Sequence, residues 1–82
     1  MADFGAMTFE EWLAKRGEED SPVGDLANDV ARDKTWPTGA GIEVYRGHVA
    51  HGSSAAVEAL NSAWKRYRAY LSRIERKRNQ TI

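Results

Sequence analysis

The chain has 82 residues, no net formal charge, 41% hydrophobic residues and 29% charged residues. A chain of this length forms one domain with a modest core, which leaves little room for a deep enzyme pocket. Because it contains no cysteine, neither a disulfide framework nor a thiolate metal site is available. No basic segment precedes a long apolar run, so we expect a cytoplasmic protein that is neither secreted nor membrane-spanning.

The first helix is predicted just after a flexible N-terminus of residues 1–7. Thr8 and Glu11 have the spacing of a capping box, in which each side chain accepts a hydrogen bond from the other's backbone N–H. Gly17 is expected to end this helix. Its apolar face comprises Phe9, Trp12 and Leu13.

A second helix is predicted to begin at Ser21 and Pro22, because serine caps a helix and proline suits its first position. Gly24 in the first turn predicts close backbone packing against another helix. Trp36 before Pro37 ends the segment, since a residue before proline avoids the helical region. The apolar face of this helix comprises Val23, Leu26, Ala27, Val30 and Ala31.

Two further helices follow, a short one over residues 42–50 and a long one over residues 53–79. No glycine or proline interrupts the long helix. Its large apolar residues recur at steps of three and four, which places them on one face. They are Val57, Leu60, Trp64, Tyr67, Leu71 and Ile74.

The predicted fold class is all-α, a compact four-helix bundle in which three short helices pack on one long C-terminal helix. The domain is expected over residues 8–72, with a basic helix end and tail over residues 73–82. Trp64 is expected to be buried against Trp12, Leu26 and Val30. The full predicted core is Phe9, Trp12, Leu13, Val23, Leu26, Ala27, Val30, Trp36, Val57, Leu60, Trp64, Tyr67 and Leu71.

Three motifs stand along these helices: SPVGDLAND at 21–29, Asp33 followed by Trp36-Pro37, and Ala63-Trp64 followed by Tyr67. Together with the opening helix they resemble the YozE SAM-like family of small bacterial proteins, over residues 8–71. The resemblance implies a sterile-alpha-motif-like fold, a helical interaction module. It implies no S-adenosylmethionine, no cofactor and no catalytic residues.

The charges are segregated along the chain. Residues 1–43 hold ten Asp/Glu and four Lys/Arg, and residues 44–82 hold two Asp/Glu and eight Lys/Arg, which gives −6 against +6. One interpretation is intramolecular, with the acidic half lying against the basic last helix. The other is a charged partner.

The last helix carries the candidate nucleic-acid-binding residues. At 1.5 Å per residue its stretch from Ser54 to Asn79 would be about 39 Å long, whereas a compact chain of this length is about 30 Å across, so its last two turns should overhang. An overhanging basic helix can contact phosphates, and Tyr70 offers a stacking face. The alternative is favourable cation placement at a helix C-terminus. The candidates are Lys65, Arg66, Arg68, Tyr70, Arg73, Arg76, Lys77 and Arg78.

An acidic stripe of Asp25, Asp29 and Asp33 follows one face of the second helix. It is either a solvated face or a docking edge for basic groups, from this chain or from a neighbouring copy. His48 and His51 are three residues apart but have no third ligand nearby, so we expect surface histidines rather than a metal site.

No residue set predicts catalysis or a small-molecule substrate. We therefore expect a non-enzymatic binding module with nucleic acid as its first partner class. The alternative is a protein-protein interaction module, including self-association of the acidic face with the basic helix.

Overall fold

The computed structural model describes residues 6–80, with side chains described through Arg76, so Phe4 and the side chains of Lys77 and Arg78 lie outside the described part. Its helices are α1 (Phe9–Ala14), α2 (Pro22–Arg32), α3 (Ile42–Val49) and α4 (Ser54–Gln80). The long helix α4 packs against each of the other three. The predicted all-α fold, with three short helices on one long C-terminal helix, is confirmed.

Both predicted helix starts have the expected caps. The Glu11 backbone N–H donates to Thr8 Oγ1 at 3.1 Å, and the Thr8 N–H donates to Glu11 Oε1 at 3.0 Å. At α2, the Gly24 N–H donates to Ser21 Oγ at 3.2 Å, and Pro22 takes the first helical position. These bonds satisfy backbone donors that have no partner within a helix.

The core is formed by side chains from all four helices. Among the described residues, those that are buried and hydrophobic are Phe9, Trp12, Leu13, Val23, Leu26, Ala27, Tyr45, Ala59, Leu60, Ala63 and Tyr67. Five residues of the predicted core are only partly buried, namely Val30, Trp36, Val57, Trp64 and Leu71. The predicted core did not include Tyr45, Ala59 or Ala63.

Trp64 lies at the edge of the core rather than at its centre. The aromatic rings in contact with it, among the described residues, belong to Phe9, Tyr45 and Tyr67. Trp64 is only partly buried and, among the described residues, makes no ring contact with Trp12, so the expectation that it is buried against Trp12 is wrong. The buried positions of α4 include two alanines, Ala59 and Ala63. Small side chains permit close backbone approach, so the buried face of α4 is turned toward them and away from Trp64.

Gly24 marks a close approach between the start of α2 and the connection that follows α1. A Cβ atom at this position would lie 2.0 Å from the carbonyl oxygen of Glu19 and 3.1 Å from that of Arg16. The expected close packing is thus present, but against the backbone of the α1–α2 connection rather than against another helix. No side chain larger than hydrogen fits there without displacement of the backbone.

Glu10 ties α1 to α3 and to the loop before it. Its Oε2 accepts hydrogen bonds from Trp36 Nε1 at 3.0 Å, from the Gly39 N–H at 3.1 Å and from the Tyr45 hydroxyl. Burial raises the pKa of Glu10, but these hydrogen bonds outweigh it, and the net pKa is lowered. Burial and the adjacent carboxylate raise the pKa of Tyr45 to about 12. The cluster fixes α3 against α1.

Candidate binding surfaces

An open concave surface of about 530 Å³ lies between the end of α1 and the middle of α4. We call it the basic face, because three of the side chains that line it are arginines. Its lining includes Trp12, Arg16, Arg66, Tyr70, Arg73 and Ile74. The connection that follows α1 and the helix α4 therefore bring cations to one surface.

Two of these guanidinium groups stack on the same indole ring. Arg16 Cζ lies 4.3 Å from the ring centroid of Trp12, and Arg66 Cζ lies 5.7 Å from it. Such cation–π contacts are attractive and position a guanidinium without consuming its hydrogen-bond donors. The pair of cations is therefore held in place by a ring that is itself only 2% exposed.

A carboxylate lies between the two stacked cations. Arg66 donates from Nη1 and Nη2 to the two oxygens of Glu19, at 3.0 and 2.8 Å, and Arg16 Nε lies 3.9 Å from Glu19 Oε2. These contacts reduce the repulsion between the two arginines. The hydrogen bond from Arg66, with a smaller one from Ser21, lowers the pKa of Glu19 from 4.5 to about 2.

This ion pair predicts a pH-dependent contribution to stability. Because the pKa of Glu19 is lowered in the folded state, its contribution is present above about 4.5 and is lost as the pH falls toward about 2. Glu19→Gln should therefore melt below the parent at neutral pH, and the difference should vanish near pH 2. Thermal melting curves of both proteins across this range measure the effect.

Asp33 titrates over the same range, since hydrogen bonds from Thr35 and His48 lower its pKa to about 2. Asp33 contributes equally to the parent and to Glu19→Gln, so its contribution cancels in the difference between their melting temperatures. Glu18→Gln is the matched control, because Glu18 is an exposed neighbour that is in no ion pair of the described residues. A constant offset between parent and Glu19→Gln at every pH would contradict the assignment.

The remaining candidate cations of α4 do not share the basic face. Arg66 and Arg73 are seven residues apart and lie on one side of the helix, whereas Arg68 is two residues from Arg66 and lies on the opposite side. Lys65, Arg68 and Arg76 are exposed and do not line the basic face. Cations therefore surround α4, and two of them, Arg66 and Arg73, converge with Arg16.

Tyr70, the predicted stacking residue, is partly buried and engaged within the fold. Its hydroxyl accepts a hydrogen bond from the Met7 N–H at 2.8 Å, and its ring centroid lies 5.9 Å from that of Tyr67. The Tyr67 hydroxyl in turn donates to the Met7 carbonyl at 2.7 Å. The two tyrosines thus fix the segment before α1, and Tyr70 forms a wall of the basic face.

The end of α4 extends beyond the core. Among the described side chains, Leu71 is the last that packs against the core and Ile74 is the last that lines the basic face. The helix continues to Gln80, and the molecule measures 46 × 25 × 18 Å along its principal axes. We call residues 75–80 the overhang.

A second surface lies between α2 and the junction of α3 and α4. It consists of two adjoining open grooves, of about 170 and 190 Å³, that share Leu26, Asp29 and Ala56. We call this surface the acidic groove. Its apolar lining includes Leu26, Val30, Trp36, Val49 and Ala56, and its acidic lining is Asp25, Asp29 and Asp33.

The three aspartates of the acidic groove have different partners. Asp33 Oδ2 lies 2.7 Å from His48 Nε2, and Asp29 pairs with Arg32 at 3.1 Å. Asp25 is exposed and forms no ion pair within the part of the chain that the structure describes. In that same part, no group of three or more His, Cys, Asp or Glu could hold a metal ion.

The cations of α4 were predicted from the sequence, whereas Arg16 and Glu19 were not predicted as parts of a binding surface. The Glu19–Arg66 contact joins residues 47 positions apart. A pair at that separation has no local signature, because only the folded arrangement of α1 and α4 brings it together. The one local signal is the three-residue step between Arg16 and Glu19, which is common on any helix end.

Comparison with known protein families, with curated proteins and with solved structures finds no match for this chain. Within the described residues, no helix combines the length and the apolar character needed to cross a bilayer. The basic face and the acidic groove are therefore the basis for functional inference.

Proposed function

We propose that this protein is a cytoplasmic, non-enzymatic binding module of the YozE SAM-like type that contacts nucleic-acid phosphates. The basic face and the overhang would form the contact surface. The observation that carries this proposal is the convergence of Arg16, Arg66 and Arg73 on one concave surface, where Glu19 is the carboxylate that pairs with them among the described residues. Three cations and one anion leave two positive charges.

Arginine is suited to phosphate because its planar guanidinium can donate two parallel hydrogen bonds to one phosphate group. In the basic face the Trp12 ring positions two of the three guanidiniums in advance. Arg73 has no ion-pair partner among the described residues. Its donors are therefore available to an anionic ligand.

A polymer of phosphates fits this surface better than an isolated anion. Arg66 and Arg73 are separated by about 10.5 Å along α4, which is the rise of about three base pairs of duplex DNA. Arg76, Lys77 and Arg78 continue the positive charge beyond them. The spacing of these cations along the axis of α4 therefore matches the spacing of phosphates along the axis of a duplex.

The test is a titration of labelled duplex and single-stranded DNA and RNA, followed by fluorescence anisotropy at several salt concentrations. We expect binding at about 50 mM salt that weakens as salt rises, since bound cations release counterions. Arg16→Gln with Arg73→Gln should flatten the slope of log affinity against log salt by about 1.8 on duplex DNA.

Lys34→Gln with Arg46→Gln is the matched control, because it removes two charges that do not line the basic face. It should leave the slope nearly unchanged. Melting temperatures of both double variants verify that they are folded. Absence of binding by the parent at about 50 mM salt would refute the proposal, as would equal slopes for the parent and the basic-face variant.

A further inference from the structure

Among the described residues, Lys and Arg of residues 44–82 form two ion pairs with acids of residues 1–43, Arg66–Glu19 and Arg46–Glu43. Of these two, the Glu19–Arg66 contact is the one that joins such an acid to α4. The acidic groove lies beside the first turns of α4, through Ser53, Ala55, Ala56 and Ala59. Residues 53–59 contain no Lys or Arg. The part of α4 that borders the acidic groove therefore supplies no cation to pair with its aspartates.

The overhang of the same molecule lies too far away to fill the acidic groove. Residue 75 is sixteen positions beyond Ala59, or about 24 Å farther along the helix axis. A straight helix cannot fold back over that distance. The intramolecular interpretation of the charge segregation thus fails for these two surfaces, which stand near opposite ends of an elongated molecule.

We propose that the acidic groove of one copy binds the overhang of α4 from a second copy. The charges are complementary: the overhang carries three cations and Glu75, a net +2, whereas the charged lining of the acidic groove is three aspartates. Of these, Asp29 also contacts Arg32 and Asp33 contacts His48. Complementary potentials of this kind select a partner and its orientation.

The composition of the acidic groove fits basic side chains in particular. Its floor is apolar, with Val30, Trp36 and Val49 only partly buried, and carboxylates stand along one edge. Lys and Arg side chains bury their aliphatic stems on apolar surface and place their charged heads at its polar edge. A helix that presents such side chains can therefore occupy both parts of the groove at once.

The contact would join different surfaces of two identical molecules. Each copy offers one acidic groove and one overhang, so a heterologous contact of this kind can repeat and extend into an open chain. Binding of the overhang to a neighbour would also compete with binding to nucleic acid. Self-association does not depend on the proposed function, because its test contains no nucleic acid.

The test is sedimentation equilibrium of nuclease-treated protein at about 10 mM ionic strength, where charges interact over about 30 Å. We expect the weight-average mass to rise above the monomer value of 9.2 kDa as protein concentration increases. Addition of salt to about 1 M should return it toward the monomer, because the range of charge interactions then falls to about 3 Å.

Two charge-reversal variants locate the contact. Asp25→Lys with Asp29→Lys reverses the acidic groove, and Arg76→Glu with Lys77→Glu reverses the overhang. Each variant alone should associate at least about tenfold more weakly than the parent, since like charges then meet. An equimolar mixture should associate again, because each groove then faces an overhang of opposite charge.

Glu43→Lys with Glu58→Lys is the control, because both residues are exposed acids that do not line the acidic groove. It should associate as the parent does. If a reversed variant fails to fold, Asp25→Asn with Asp29→Asn and Arg76→Gln with Lys77→Gln replace the reversals. A parent that remains at 9.2 kDa at every concentration overturns the proposal, as does a mixture that stays monomeric.

Discussion

Gly24→Ala is expected to lower the free energy of unfolding by about 2 kcal/mol or more, because an added methyl group would overlap backbone atoms. The added Cβ would lie 2.0 Å from the Glu19 carbonyl oxygen and 2.8 Å from its carbon. Alanine gains about 1 kcal/mol of helix propensity over glycine, which offsets only part of the cost. For a small domain with about 5 kcal/mol of stability, the loss is a large fraction of the whole.

Gly47→Ala is the matched control for this prediction. Gly47 lies inside α3, and a Cβ atom there would meet nothing within 4 Å. The same substitution should therefore raise stability by up to about 1 kcal/mol. Urea unfolding of the parent and both variants gives the two free-energy changes. Two changes of the same sign would show that the close contact at Gly24 does not decide the outcome.

The helix starts could be predicted from the sequence, whereas the contact partner of Gly24 could not. Helix starts depend on bonds between residues three positions apart, as in the pairs Thr8–Glu11 and Ser21–Gly24. Such local chemistry is visible in the sequence. Gly24 indicated a close approach, but its partner could not be deduced, because that partner is the backbone of a connection with no regular pattern.

The orientation of α4 was harder to predict for a different reason. The prediction gave most weight to large side chains and placed Trp64 at the centre of the buried face. The observed centre includes Ala59 and Ala63, since small residues allow the closest backbone approach. Hydrophobic periodicity identifies a face within a sector of the helix, but packing against a partner decides which part of that sector is buried.

The candidate sites could also be predicted from the sequence only in part. The positive charge of α4 and the stripe of Asp25, Asp29 and Asp33 were evident from composition and spacing. The structure adds that Arg16 joins Arg66 on the Trp12 ring and that apolar residues floor the acidic groove. Those facts come from contacts between elements, so no local pattern could have supplied them. The resemblance to the YozE SAM-like family stays a prediction.

The largest expected effect on binding comes from the end of α4. Replacement of Arg73, Arg76, Lys77 and Arg78 with glutamine should flatten the slope of log affinity against log salt by up to roughly 3.6 on duplex DNA. The loss should be similar for different DNA sequences, because phosphate contacts position a protein without reading bases. Stability should change by no more than about 0.5 kcal/mol, since Arg73 and Arg76 are exposed.

A control with the same net charge separates position from charge. Replacement of Lys15, Arg32, Lys34 and Arg46 with glutamine also removes four positive charges, none of them on α4. If long-range attraction alone governed binding, both quadruple variants would bind equally weakly. If the end of α4 contacts phosphates, only the first variant loses most of its salt dependence, because counterion release counts the cations at the interface. Equal slopes would therefore show that the charge of α4 acts on nucleic acid only through long-range attraction. The proposed ligand of the overhang would then be the acidic groove of a second copy.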